Sequence, residues 1–190
     1  LVILILLIRS IRAERKAHEE ERMVNDLNRR VFVDALTSVR NKGAFVNYVQ
    51  ELQNRLDKGE KIDFAVGVFD CDNLKQINDQ NGHDKGDIYI RAASQLICRV
   101  FAHSPVFRIG GDEFAVVLQN EDFINREDLI RRFEREKREK CASAANKWDG
   151  PRVAMGIAIH DPELDSSVDD TLHRADKAMY ENKRVGKLER

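Results

Sequence analysis

Four acidic side chains in two short stretches hold most of the chemistry this chain can offer. Asp70 and Asp72 stand in Phe69-Asp70-Cys71-Asp72, just past an apolar run, and Asp112 and Glu113 complete Gly110-Gly111-Asp112-Glu113. Carboxylates gathered at one place repel one another unless cations fill the gap. Oxygen donors without histidine or cysteine side chains suit Mg²⁺ or Mn²⁺ rather than zinc. Two such ions about 3.5–4 Å apart can activate an attacking hydroxyl and stabilise a leaving phosphate. The neighbouring glycines lack Cβ, so the backbone can approach a ligand and present N–H groups to phosphate oxygens. A lone Gly-Gly would be read as an ordinary turn. Two acids in that turn, opposite an Asp-x-Asp, favour phosphate chemistry. A calcium loop counted from Asp70 fails, since its fifth and sixth positions are Leu74 and Lys75. No Walker phosphate loop is present.

These acids need strands to bring them together. Ile62–Phe69 is predicted as a buried strand, and Val106–Ile109 and Phe114–Leu118 as a hairpin around the glycine turn. Val153–Ile159 is a further strand. Helices are predicted from a cap at Asn41 to Asp57, from Lys85 to Phe101, over 126–147, and from Thr171 to Lys183. Their inward faces are Phe45, Val46, Val49, Leu52 and Leu56; Ile88, Ala92, Leu96 and Val100; Leu129, Ile130 and Phe133; and Leu172, Ala175, Ala178 and Met179. The order after Asp34 is α, β, α, α, β, β, α, β, α, which contains a split βαβ–βαβ plan. The expected fold class is α+β: a ferredoxin-like or polymerase-palm-like, antiparallel-centred sheet flanked by helices. In such a sheet the first strand lies beside the hairpin, and the two acidic stretches meet at one edge.

The whole chain has 190 residues, 42% apolar, with 32 basic and 33 acidic side chains. That is one ordinary domain, which excludes pervasive disorder, collagen and a polytopic membrane protein. A net charge of −1 gives no reason to expect nucleic acid as a partner. Charge concentrates in Arg12–Arg30 and Arg126–Lys140, both read as helical. Cys71, Cys98 and Cys141 form no CxxC and no even set, which points to a reducing compartment. Leu1–Ile8 is too short to span a bilayer, but Arg9, Arg12, Arg15 and Lys16 follow it. Residues 1–10 are therefore expected to end a truncated transmembrane helix. Residues 11–33 form a linker or coiled-coil signalling helix, with Ala17, Val24, Leu27 and Val31 at heptad spacing. Residues 34–190 are expected to form one domain that carries both acidic stretches.

Arg108-Ile-Gly-Gly-Asp-Glu-Phe114 resembles the signature of the GGDEF family, the diguanylate cyclases. Asp34-Ala-Leu-Thr-Ser-Val-Arg-Asn41 is similar to the family's opening segment. Phe69 to Asp79, with Gly82-His83 and Gly86-Asp87, resembles its substrate-binding segment, and Ala175 to Tyr180, with Lys183 and Gly186-Lys187, its closing helix. The resemblance covers about 34–187. It implies condensation of two GTP into cyclic di-GMP with release of pyrophosphate, one GTP being held by each subunit of a homodimer. Asp70, Glu113 and the backbone carbonyl of Cys71 would then hold two Mg²⁺ or Mn²⁺ ions. Asp112 would assist deprotonation of the attacking ribose 3′-hydroxyl or bind the second metal. Asn78 and Asp87 would read guanine, with His83 in the same segment. Lys75, Lys183 and Lys187 would face phosphates, and Gly110 and Gly111 would give the substrate room.

Three departures from the family's pattern stand out. Its feedback Arg-x-x-Asp is replaced by Phe101-Ala-His-Ser104, so no product inhibition is expected there. Leu74 replaces an aromatic residue, and Lys187 replaces an arginine. The apolar start and the basic cluster after it add the expectation of control by an upstream membrane sensor and of a place at the cytoplasmic face of the inner membrane. A catalytically silent GTP or cyclic di-GMP binding module is the alternative.

Overall fold

The computed structural model describes residues 14–16, 23 and 31–188, with side chains through 185. The expected membrane-proximal segment 1–10, and Ala17, Val24 and Leu27 of the heptad stripe, lie outside the described residues. Among the described residues no helix is long and apolar enough to cross a membrane. The chain divides into two compact units, Leu1–Val33 and Asp34–Arg190. The second contains α1 (Lys42–Asp57), β1 (Phe64–Cys71), α2 (Leu74–Asn81), α3 (His83–Val100) and β2 (Val106–Arg108). It continues with β3 (Glu113–Gln119), α4 (Asn120–Ile124), α5 (Arg126–Ser143), β4 (Val153–Ile159) and α6 (Val168–Leu188).

The four strands are ordered β2-β3-β1-β4, and every neighbouring pair is antiparallel. β3 lies between β1 and β2, which is the split plan expected from the element order. β1 is buried along its whole length, because helices cover both faces of the sheet. Phe64, Val66 and Val68 join a cluster with Phe45 and Leu52 of α1 and Ala175 and Met179 of α6. Ala65, Phe69 and Cys71 point the other way, towards Tyr89, Ile90 and Leu96 of α3 and Phe133 of α5. A strand covered on both faces reads as an unbroken apolar run instead of an alternating one.

Two details place the site. Asn41 caps α1, its Oδ1 accepting from the Ala44 N–H at 3.0 Å, as predicted. Gly156 of β4 lies directly under α6: a Cβ there would come within 2.1 Å of Met179 N and 2.3 Å of the Ala175 carbonyl oxygen. Ala175, Met179 and Lys183 recur every four residues on one helical face. The contact at Gly156 thus lets α6 carry Lys183 over the end of β1.

The structure corrects several boundaries. β1 runs over 64–71, not 62–69, because Asp70 and Cys71 pair with Glu113, Ala154 and Val153 and continue the ladder. Val46 is 55% exposed and Ile88 36% exposed. The buried face of α3 is rotated onto Tyr89, Ala93 and Ile97, because the sheet beneath decides which side of a broad apolar stripe turns inward. α5 stops at Ser143 rather than 147. α6 starts three residues earlier than predicted, at a first turn where the Asp170 carboxylate accepts from the Ser166 and Ser167 N–H groups, both at 2.9 Å.

Candidate functional site

The pairing of β1 with β3 sets the site. Asp70 lies directly across from Glu113 in the register, and Cys71 N–H donates to the Asp112 carbonyl at 2.9 Å. Directly opposed residues share a face of the sheet, so both carboxylates rise on the side covered by α6. The turn between β2 and β3 is narrow: the Ile109 and Gly110 N–H groups both donate to the Glu113 carbonyl, at 2.9 and 3.3 Å. A Cβ on Gly110 would sit 2.4 Å from Glu113 Oε2, whereas the same position on Gly111 borders open space. Gly110 thus faces the movable end of the Glu113 side chain, and Gly111 leaves the outer side of the turn uncovered.

A brace holds this turn from outside. Arg108 donates through Nη2 to the Gly111 carbonyl at 2.7 Å, and through Nη1 to both Asp34 oxygens at 3.1 and 3.2 Å. Asp34 also accepts from the Thr37 backbone N–H at 2.9 Å and its hydroxyl at 2.6 Å. Burial would raise the Asp34 pKa, but the bonds from Thr37 and Arg108 outweigh it and hold the carboxyl below its ordinary range. At the end of β1, the Tyr89 hydroxyl donates to the Asp72 carbonyl at 2.7 Å and accepts from Arg152 N–H at 2.8 Å. Neither anchor was identified from residue types. An Asp three residues before a Thr signals a local turn, not an ion pair with Arg108, and a tyrosine inside a helix gives no signal for its partner.

The acids differ sharply in environment. Asp70 and Asp72 are 8% and 7% exposed. Lys183 Nζ lies 2.5 Å from Asp70 Oδ1 and 3.8 Å from Asp72 Oδ1. Burial alone would lower the Lys183 pKa, but Asp70, then Asp72 and Asp112, reverse this and raise it. Glu113 is exposed and Asp112 half-buried, and neither carboxylate makes a hydrogen bond or ion pair among the described residues. The Cys71 thiol is driven well above its usual range by burial and by Asp112 and Asp70 beside it. Its side chain packs on the α3 and α5 side of the sheet, away from the face on which Asp70 and Glu113 rise. Among the described residues no three His, Cys, Asp or Glu side chains stand together as a ready metal cluster. The donor chemistry still fits a hard divalent cation: two carboxylates face each other across one register, and an ammonium already lies between Asp70 and Asp72.

The expected substrate residues divide into two groups. Gly82, at φ 87°, separates α2 from α3 and folds them against each other. Asn78 Oδ1 is buried at this junction without a hydrogen-bond partner. It presses on Gly86, where a Cβ would come within 1.9 Å of it. Asp87 follows immediately, partly buried. Lys75 and His83 are exposed, and Lys183 points at carboxylates. Lys187 stands one turn beyond Lys183 on α6, past the described side chains. In the 101–104 window, Phe101 is buried, and Asp122 accepts from Ser104 Oγ at 2.7 Å and His103 N–H at 3.2 Å.

Residues 31–189 match the family described as "Diguanylate cyclase, GGDEF domain". The chain is 31% identical over 155 residues to diguanylate cyclase DgcP of Escherichia coli, covering 80% of this chain and 45% of that protein. It is 30% identical over 158 residues to diguanylate cyclase A of Treponema denticola, covering 81% and 42%. It thus spans less than half the length of these two relatives. Among solved structures, the coiled coil and GGDEF domain of DgcB from Caulobacter crescentus in complex with c-di-GMP superimposes with a TM-score of 0.76. That match has 25% identity and covers 95% of both chains.

Proposed function

This chain belongs to the GGDEF diguanylate cyclase domain family, and we propose that it condenses two GTP into cyclic di-GMP and two pyrophosphates. The observation that carries the reading is the register that sets Asp70 against Glu113 beside a glycine turn open at Gly111. Each ribose 3′-hydroxyl attacks the α-phosphorus of the other GTP, forming one phosphodiester bond and breaking one α–β anhydride. Asp112 takes part in removing the 3′ proton. Asp70, Glu113 and the Cys71 carbonyl would hold Mg²⁺ or Mn²⁺, which when bound polarises phosphoryl oxygens and neutralises charge on the leaving group. Asn78 and Asp87 hold guanine: the unpartnered Oδ1 of Asn78 accepts an N–H, and the carboxylate accepts from N1 and N2. Lys75, Lys183 and Lys187 neutralise the phosphates as point charges, so Lys183 exchanges Asp70 for the nucleotide.

One subunit holds one GTP, so two copies must face each other. Subunit orientation is then the control variable. We assign 11–33 to the helix that sets it, 1–10 to the end of a membrane anchor, and the catalytic domain, 34–190, to the cytoplasmic face of the inner membrane. The test incubates the purified homodimer with GTP and Mg²⁺ and follows pyrophosphate and cyclic di-GMP. Release of both, undiminished by added cyclic di-GMP, is the expected result. GTP binding without turnover would instead establish a silent binding module.

A further inference from the structure

Beside the acid pair, α5, α6 and the start of β4 border an open cleft of about 160 Å³. Asp72 lies in it with Lys137, Arg138, Arg152 and Lys183. Two of the four cations are already committed. Lys137 pairs with Glu134 at 2.8 Å and donates to the Val153 carbonyl at 3.0 Å, and Lys183 pairs with Asp70 and Asp72. Arg138 and Arg152 are exposed, and neither has an acidic partner at ion-pair distance among the described residues. Asp72, the one acid in the lining, is offset by Lys183. Guanidinium groups suit phosphate because their forked donors bind two oxygens at once.

We propose that Arg138 and Arg152 form an outer phosphate clamp, which takes the terminal phosphates of GTP and then the departing pyrophosphate. The inference rests on the GTP reading of the adjoining acids, whose Lys183 lines both sites. Arg138 on α5 and Arg152 just ahead of β4 would add two forked donors beside the single ammonium of Lys183.

The test compares the wild-type chain with the double variant Arg138→Gln, Arg152→Gln. Mg²⁺ complexes of pyrophosphate, GMP and GTP are titrated separately by calorimetry. Pyrophosphate and GTP affinities are expected to fall about tenfold, with GMP affinity and melting temperature unchanged. Arg152→Lys is expected to recover only part of the loss, because a point charge replaces a fork. Equal weakening of GMP and GTP, or unchanged pyrophosphate binding, overturns the clamp. If the wild type binds pyrophosphate in an arginine-dependent way but no guanine nucleotide, the clamp stands and the GTP reading fails. If it binds guanine nucleotides but no pyrophosphate, the clamp fails and the GTP reading survives.

Discussion

The two ends of β1 treat their carboxylates in opposite ways. At its start, the His160 N–H donates to the Phe64 carbonyl at 3.0 Å, and the imidazole stacks on the Phe64 ring at 4.6 Å. Next to them, both oxygens of Asp165 are engaged: it accepts from Arg174 Nε at 2.8 Å, Thr171 Oγ1 at 2.9 Å, Asp161 N–H at 3.0 Å and also Arg174 Nη2. Hydrogen bonding to Arg174 overcomes burial and brings the Asp165 pKa down to about 2. At the strand's far end, Asp70 has a lysine, while Glu113 directly opposite has no partner among the described residues. A buried carboxylate with both oxygens hydrogen-bonded belongs to the fold. Opposed carboxylates, left short of positive charge by a register the fold imposes, are the arrangement a cation-dependent site requires.

This contrast can be broken at either end. Glu113→Gln is expected to lower cyclic di-GMP formation by about 10²–10³-fold, the scale seen when one group stabilising transition-state charge is removed. Its melting temperature should stay within a few degrees of wild type, since the side chain is exposed. A rate within tenfold of wild type would remove Glu113 from the site. Gly156→Ala forces a methyl group into the backbone of α6 and should destabilise by about 3 kcal/mol, the upper range for overpacking. Urea unfolding measures this, and a change below about 0.5 kcal/mol would mean that α6 does not rest on β4.

Asp165→Asn tests the satisfied end. A folded pKa near 2 against 3.8 unfolded corresponds to about 2 kcal/mol of stability. Because the folded pKa is depressed, that stability is present above about pH 4 and disappears as pH falls towards 2. The variant should therefore be weaker at pH 7 and equal to wild type near pH 2. A constant difference across that window would mean that the ionised form is not what Arg174 stabilises. Lys183→Ala should have the smallest effect on stability, below about 1 kcal/mol, because the ammonium is partly exposed and screened. Its folded pKa is raised, so the small contribution persists at neutral pH and is lost above about pH 10.5. A loss of several kcal/mol would place Lys183 in the structural class with Arg174.

Much of the fold was legible because strands and helices differ in how they repeat apolar residues. The run through Val66 and Val68, the hairpin glycines and the stripe of Ala175 and Met179 predicted their elements, and the element order predicted the split sheet. Boundaries were less legible at positions 46, 70, 71 and 88. Whether an apolar residue is covered, or a polar residue extends a ladder, depends on a neighbour distant in the chain. The Phe101–Ser104 window shows the same limit: its missing arginine was visible, but its bonds to Asp122 were not.

Residue type and spacing alone singled out which side chains could carry phosphate chemistry, the Asp-x-Asp and the glycine turn with its two acids, while the amide and carboxylate at 78 and 87 were expected only from the family resemblance. Tertiary structure decided which of them meet. It set Asp70 opposite Glu113, turned Lys183 onto Asp70, pressed Asn78 against Gly86 and tied Arg108 to Asp34. The physical reason is that local periodicity is written within a few residues, whereas the register of paired strands and the seat of a helix on a sheet arise from the packing of the whole domain.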